Sequence, residues 1–208
     1  MSSVHSVVKS CFRLMGQDEG ALRELTDSDS RTVFTIGHSN RTLEAFVGML
    51  QKNHISCLID VRKIPRSGHN PQFNRESLPQ SLTSEHIAYT HLSGLGGLRR
   101  PIPDSPNLGW RNESFRAFAD YMQTREFTEN IDQLTQLAHQ QQIAVMCAEA
   151  VPWRCHRSLI ADALVVREYS VVNILSMTRN SPHILTPFAH VDGLRITYPP
   201  AAADIPLF

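Results

Sequence analysis

Residues 32–62, TVFTIGHSNRTLEAFVGMLQKNHISCLIDVR, place two apolar runs either side of one amphipathic segment. TVFTIGHS is short, apolar and bounded by Gly37, which reads as a buried strand. TLEAFVGMLQKN follows, with Leu43, Phe46, Val47 and Leu50 on one helical face and Ser39 or Asn40 available as a cap. ISCLIDVR is a second buried strand. A strand, a helix and a strand within about thirty residues is a βαβ unit, and such units build parallel sheets.

The pattern repeats along the chain. RESLPQSLTSEHI reads as a helix interrupted by Pro79, and IAYTHLSGL as a third strand ending in a turn with Gly94, Gly96 and Gly97. SFRAFADYMQT and EFTENIDQLTQLAHQQ are helical segments. IAVMCAEA is a fourth strand, CHRSLIADALVVRE a helix and SVVNILSM a fifth strand. The strands are apolar throughout rather than alternating, as strands covered on both faces are. The predicted fold is α/β: a three-layer sandwich with a mostly parallel sheet of about five strands. Residues 1–31 read as a polar lead, a short helix or a disordered segment. Residues 32–177 form the catalytic-like α/β domain. Residues 178–208 form a Pro-rich tail packing on it, with an edge hairpin expected around Asp192-Gly193.

Composition limits the function. Of 208 residues, 41% are hydrophobic and 19% charged, a globular balance. No run of 18 apolar residues exists, so no membrane partner is expected. Twenty basic and twenty acidic side chains cancel, which argues against a broadly basic polyanion-binding surface. Lysine, however, is confined to Lys9, Lys52 and Lys63; the remaining cations are arginine, the residue suited to bidentate phosphate contacts. The four cysteines lack disulfide spacing, and no signal segment is visible, so a cytoplasmic, reducing location is expected.

Ligands of open parallel sheets bind beyond the carboxyl ends of the strands. The first strand delivers His38 and Ser39 there; the second delivers Asp60 and Arg62, then Arg66, His69 and Phe73. Gly96, Gly97, Arg99 and Arg100 follow the third, and the fourth delivers Cys147 and Glu149, then Trp153, Arg154, Cys155, His156 and Arg157. Glu149 and Asp60 are candidate acid and base, either as a carboxylate pair or as salt-bridge partners of the arginines. His38 or His156 would assist proton transfer, and Cys147 and Cys155 are candidate nucleophiles or small buried hydrophobes. The expected substrate-binding set is Ser39, Arg62, Arg66, His69, Phe73, Gly96, Gly97, Arg99, Trp153, Arg154, Cys155 and Arg157. Six residues separate Cys147 from Arg154, one more than in a cysteine phosphatase loop. No cofactor is predicted. Cys147, Cys155, His156, His38 and His69 are soft donors for zinc or iron, but no pair has the tight two-residue spacing of a zinc motif.

TIGHSNRTLEAF, LIDVRKIPRSGHNPQFN, LGGLRR with NLGWRNESFRAFADYM, and MCAEAVPWRCHRSLIADAL together resemble the family called domain of unknown function 488, over residues 32–177. The resemblance places the family motifs on His38, Ser39, Asp60, Arg62, Arg66, Phe73, Gly96, Gly97, Cys147, Glu149, Cys155, His156 and Arg157. It implies a motif set and no particular activity. The first expectation is therefore an enzyme acting on a phosphate-bearing substrate, an anionic small molecule such as a nucleotide or a nucleic-acid component. The alternatives are a rhodanese-like cysteine-dependent sulfurtransferase and a non-enzymatic nucleotide or nucleic-acid binding module.

Overall fold

A computed structural model describes residues 31–200. The expected lead, all but Arg31, and the last eight residues of the tail lie outside the described residues. In chain order the elements are β1 (Thr32–Gly37), α1 (Leu43–Lys52), β2 (Cys57–Asp60), α2 (Leu78–Thr83) and β3 (Ala88–His91). Next come α3 (Glu113–Tyr121), α4 (Arg125–Gln140), β4 (Ile143–Cys147), α5 (Arg157–Val165) and β5 (Ser170–Ile174). The tail adds β6 (Asn180–Pro182), β7 (His190–Asp192) and β8 (Arg195–Thr197).

Six strands form one sheet in the order β3-β2-β4-β1-β5-β6. The first five are parallel, and β6 runs antiparallel along β5. Every residue of β2 and β4 is buried, which is why their sequences are apolar without alternation. Alternate residues feed the two cores. Leu58, Ala144 and Met146 meet Phe46 and Leu50 of α1 and Leu78 and Leu82 of α2 on one face. Ile59, Val145 and Val171 meet Phe118, Ile131, Leu134 and Leu159 of α3, α4 and α5 on the other. The three-layer α/β sandwich is the observed architecture. Among the described residues no helix is long and apolar enough to cross a membrane.

Local details differ from the sequence reading. Thr42, rather than Ser39 or Asn40, caps α1 by accepting from the Ala45 amide at 3.2 Å. Ser39 lies three residues ahead of that cap, where its hydroxyl donates to Asn40 Oδ1 at 3.3 Å, its amide donates to the Ala148 carbonyl at 2.8 Å and its φ is 51°, in the left-handed region. Pro79 opens α2 instead of interrupting it; its missing N–H is harmless in the first turn. The helix expected from Cys155 begins at Arg157, because Cys155 is extended (φ −140°, ψ 143°). The hairpin around Asp192-Gly193 forms, with Gly193 at φ 58°, but β7 and β8 make their own two-stranded sheet rather than extending the main one.

The tail is tied to α5 through Asp162, which is fully buried. Its carboxylate accepts from His183 Nε2 (2.7 Å), Thr186 Oγ1 (2.7 Å) and Tyr198 Oη (2.8 Å).

The topology fixes where a ligand goes. β1 and β4 are neighbours, yet β1 leads to α1 on one face while β4 leads to α5 on the other. Their loops diverge and leave a crevice at the carboxyl edge of the sheet.

Candidate functional site

The floor of the crevice is a saturated polar cluster. Asp60 ends β2 and is fully buried. It accepts from Arg62 Nε (2.9 Å), Arg62 Nη2 (2.7 Å), the Arg62 amide (3.0 Å) and Tyr89 Oη (2.7 Å). Arg62 spends its remaining donors on the Phe73 carbonyl (2.6 Å) and on His38 Nε2 (3.1 Å). Burial opposes the charge of Arg62, but the bidentate Asp60 outweighs it and holds the guanidinium above its ordinary range. Tyr89 keeps its phenol proton and donates it to Asp60: burial first, then the Asp60 charge, push the phenol up.

His38 closes this cluster from the end of β1. Its ring stacks on Phe73 at 4.5 Å and 19°. Nδ1–H donates to the Ser39 carbonyl at 2.8 Å, and Nε2 accepts from Arg62, so the ring is the neutral tautomer. Burial, with the Arg62 charge adding to it, lowers its pKa to about 4. A histidine in this state is an anchor for Arg62 rather than a proton donor near neutral pH.

Two adjoining cavities open above this floor. The larger, about 600 Å³, is lined by His38, Ser39, Arg62, Arg66, Glu149 and Arg154, with Ser67 and Asn70 as further polar groups. The second, about 390 Å³, shares Arg62, Glu149 and Arg154 and runs on to Gly97, Cys147, Cys155 and His156. They share one wall and lie side by side as the near and far arms of the crevice. The arms differ in chemistry. Arg66 and Arg154 are exposed, and among the described residues neither guanidinium has a carboxylate partner. Glu149 is exposed at the junction of the arms.

The far arm ends in a thiol–imidazole cluster. One ligand atom from each of Cys147, Cys155 and His156 lies within 4.8 Å of the others, and this is where a metal ion would be held. His156 Nδ1 is 3.7 Å from Cys155 Sγ and 4.0 Å from Cys147 Sγ. The two thiols interact, Cys147 being pushed up by its hydrogen bond to Cys155 and by burial. Cys155 is pulled down by that same bond, against burial, with His156 and Arg157 helping. Of the two, Cys155 is the sulfur whose ionised form the surroundings favour.

Arg157 stands behind them, 1% exposed. Its Nη1 donates to Thr35 Oγ1 at 3.1 Å and its Nη2 to the Glu149 carbonyl at 2.5 Å, and its Nε has no partner among the described residues. The 149 carbonyl sits so close to β1 that a Cβ at Gly37 would lie 1.7 Å from it. Glycine at 37 is therefore what lets the loop after β4 approach β1.

Several expected binding residues lie elsewhere. Arg99 stacks on the Tyr121 ring at 3.3 Å and donates to the Gly96 and Gly94 carbonyls, which pins the glycine turn. Phe73 is buried under His38, and Arg157 is committed inside the fold. Gly96 and Gly97 act through absence: added Cβ atoms would lie 2.9 Å from Lys63 Cβ and 2.4 Å from His156 Nδ1. Trp153 is 66% exposed beside Phe188, in a separate groove. His69 is exposed and lines neither arm. The sequence reading missed Tyr89 and Asn70. Tyr89 reaches Asp60 through the β2–β3 register, which pairs it with Leu58, two residues before Asp60 and on the same side of the sheet.

With this geometry in hand, the comparison with family models is specific. The model described as domain of unknown function DUF488 matches residues 42–164, more than half of the chain, and the chain belongs to that family. The match takes in Asp60, Arg62, Cys147, Glu149, Cys155, His156 and Arg157; His38 and Ser39 precede it. Neither curated proteins nor solved structures gave a match.

Proposed function

We propose that this member of the family is an enzyme acting on a phosphate-bearing substrate held in the cleft between β1 and β4. The observation that carries the reading is the contrast among the arginines. Arg62, Arg99 and Arg157 are committed within the fold, whereas Arg66 and Arg154 face the 600 Å³ arm without a carboxylate partner. Two unpaired guanidiniums beside Ser67 and Asn70 suit a phosphate. The volume is that of a nucleotide-sized ligand.

The roles of the site residues narrow accordingly. Asp60 is saturated by Arg62 and Tyr89, so it positions Arg62 and is not proposed as the second acid or base. Glu149, exposed where the arms meet, is the proposed general base. No stacking face for a base comes from Phe73, which His38 covers, from Trp110, which packs against Phe115 and Phe188, or from Trp153, which lines the other groove. Recognition in this reading therefore runs through phosphate rather than through a nucleobase face. The buried thiols, 8% and 3% exposed, weigh against a cysteine that attacks a substrate directly, as sulfur transfer requires.

The test is a panel of nucleotides and phosphomonoesters incubated with the full chain, with products followed by mass spectrometry. On a substrate found this way, Glu149→Gln is expected to lower kcat by about 10²- to 10⁴-fold. Arg66→Ala and Arg154→Ala are expected to raise KM. Binding without turnover of any phosphate compound would favour the non-enzymatic module, and turnover unaffected by Glu149→Gln would remove the assigned base.

A further inference from the structure

We infer that Cys147, Cys155 and His156 form a zinc site at the end of the second arm, with its fourth coordination position open to the cleft. Tetrahedral zinc with bonds of about 2.3 Å to sulfur and about 2.05 Å to nitrogen sets S···N separations near about 3.6 Å. The two separations here are 3.7 and 4.0 Å. The donors thus stand within a few tenths of an ångström of a ligand shell before any metal enters. Two thiolates with an imidazole are a donor set that selects zinc among the common divalent ions.

Three further observations make this a built site. The ligands sit on fixed elements: Cys147 ends β4, and Cys155 and His156 immediately precede α5. The imidazole is aimed by packing, against Phe118 at 5.0 Å and against Gly97, where a Cβ would collide with Nδ1. Its other nitrogen, Nε2, is buried without a partner among the described residues, so Nδ1 is the atom presented to the thiols. Finally, Arg157 is buried with no carboxylate partner among the described residues. Its charge beside the two sulfurs favours the thiolate forms that bind a metal.

Three protein ligands plus an open position describe a catalytic zinc rather than a structural one. The open side faces the arm that Glu149 also lines. Zinc held there would supply a water of lowered pKa inside that arm. That last use rests on the phosphate-substrate reading; the ligand set does not.

The test uses the full chain without substrate, so its failure is distinguishable from failure of the substrate reading. Protein stripped by a chelator is reloaded with Zn²⁺ for metal analysis and with Co²⁺ for absorption spectroscopy. The expected result is one zinc per chain and a tetrahedral Co²⁺ spectrum with thiolate charge-transfer bands. Cys147→Ser and Cys155→Ser are each expected to weaken binding by at least about 100-fold, and Cys57→Ser to leave it unchanged. Substoichiometric zinc in the wild-type chain, or binding undiminished in the Cys147→Ser/Cys155→Ser double variant, would overturn the site. If the variants do not fold, the wild-type Co²⁺ spectrum decides: octahedral bands without thiolate charge transfer overturn it as well.

Discussion

His38 provides a quantitative handle on the floor of the cleft. Its imidazole is 3% exposed, stacked on Phe73, and receives the Arg62 guanidinium on Nε2. Protonation of the folded protein would put a second cation against Arg62. Burial first, with the Arg62 charge adding to it, lowers the His38 pKa from 6.5 to about 4. A group with a depressed folded pKa contributes stability above its unfolded pKa and loses it as pH falls. Below about 6.5 the unfolded chain takes up the proton and the folded chain does not, and the loss is complete near pH 4. A difference of about 2.5 units at about 1.36 kcal/mol each makes the loss about 3 kcal/mol. The assay is urea denaturation of the wild type and His38→Gln from pH 4 to 7. Glutamine keeps an acceptor for Arg62 and does not titrate, so the other groups cancel in the difference. The wild type is expected to lose about 3 kcal/mol more than the variant across this range. A difference that stays flat with pH, or an imidazole that titrates near 6.5 by NMR, would refute the buried neutral ring.

Other variants probe the parts around it. Asp60→Asn strands the buried Arg62 charge and is expected to cost about 3–5 kcal/mol in chemical denaturation; a cost under about 1 kcal/mol would show that the pair is solvated. Asp162→Ala removes the acceptor shared by His183, Thr186 and Tyr198 and is expected to cost at least about 2 kcal/mol. Limited proteolysis should then cut first within residues 178–200, and a wild-type cleavage pattern would contradict the anchoring role.

Much of the site was legible because a parallel sheet converts chain order into place. The residues after β1, β2 and β4 had to come to one edge, and His38, Arg62, Cys147 and Glu149 do. What each one does there was not legible. Asp60 reads in the sequence as either acid or ion-pair partner, and the choice depends on Tyr89, which reaches it only through the β2–β3 register. Arg62, Arg66, Arg99, Arg154 and Arg157 look alike in the sequence. They separate only by burial and by the carbonyls nearby, which close-packed loops determine. Arg99 follows its glycine turn back onto Tyr121 instead of into the cleft. The overall balance of charge, equal in the two signs, also hides a local imbalance, since Arg66 and Arg154 face one cavity unpaired. Cys147, Cys155, His156, His38 and His69 look alike in the sequence as soft donors, and the loop between β4 and α5 brings the first three together.

The central claim is that the cleft between β1 and β4 binds phosphate through Arg66 and Arg154. The direct measurement is a titration of isotope-labelled full chain with inorganic phosphate and with AMP, followed by amide NMR. The account predicts saturable shifts at Ser39, Arg66 to Asn70 and Ala148 to Arg154, abolished in the Arg66→Ala/Arg154→Ala double variant. Shifts centred on the groove at Trp153, Ile184 and Phe188, or saturable shifts that persist in the double variant, would contradict it.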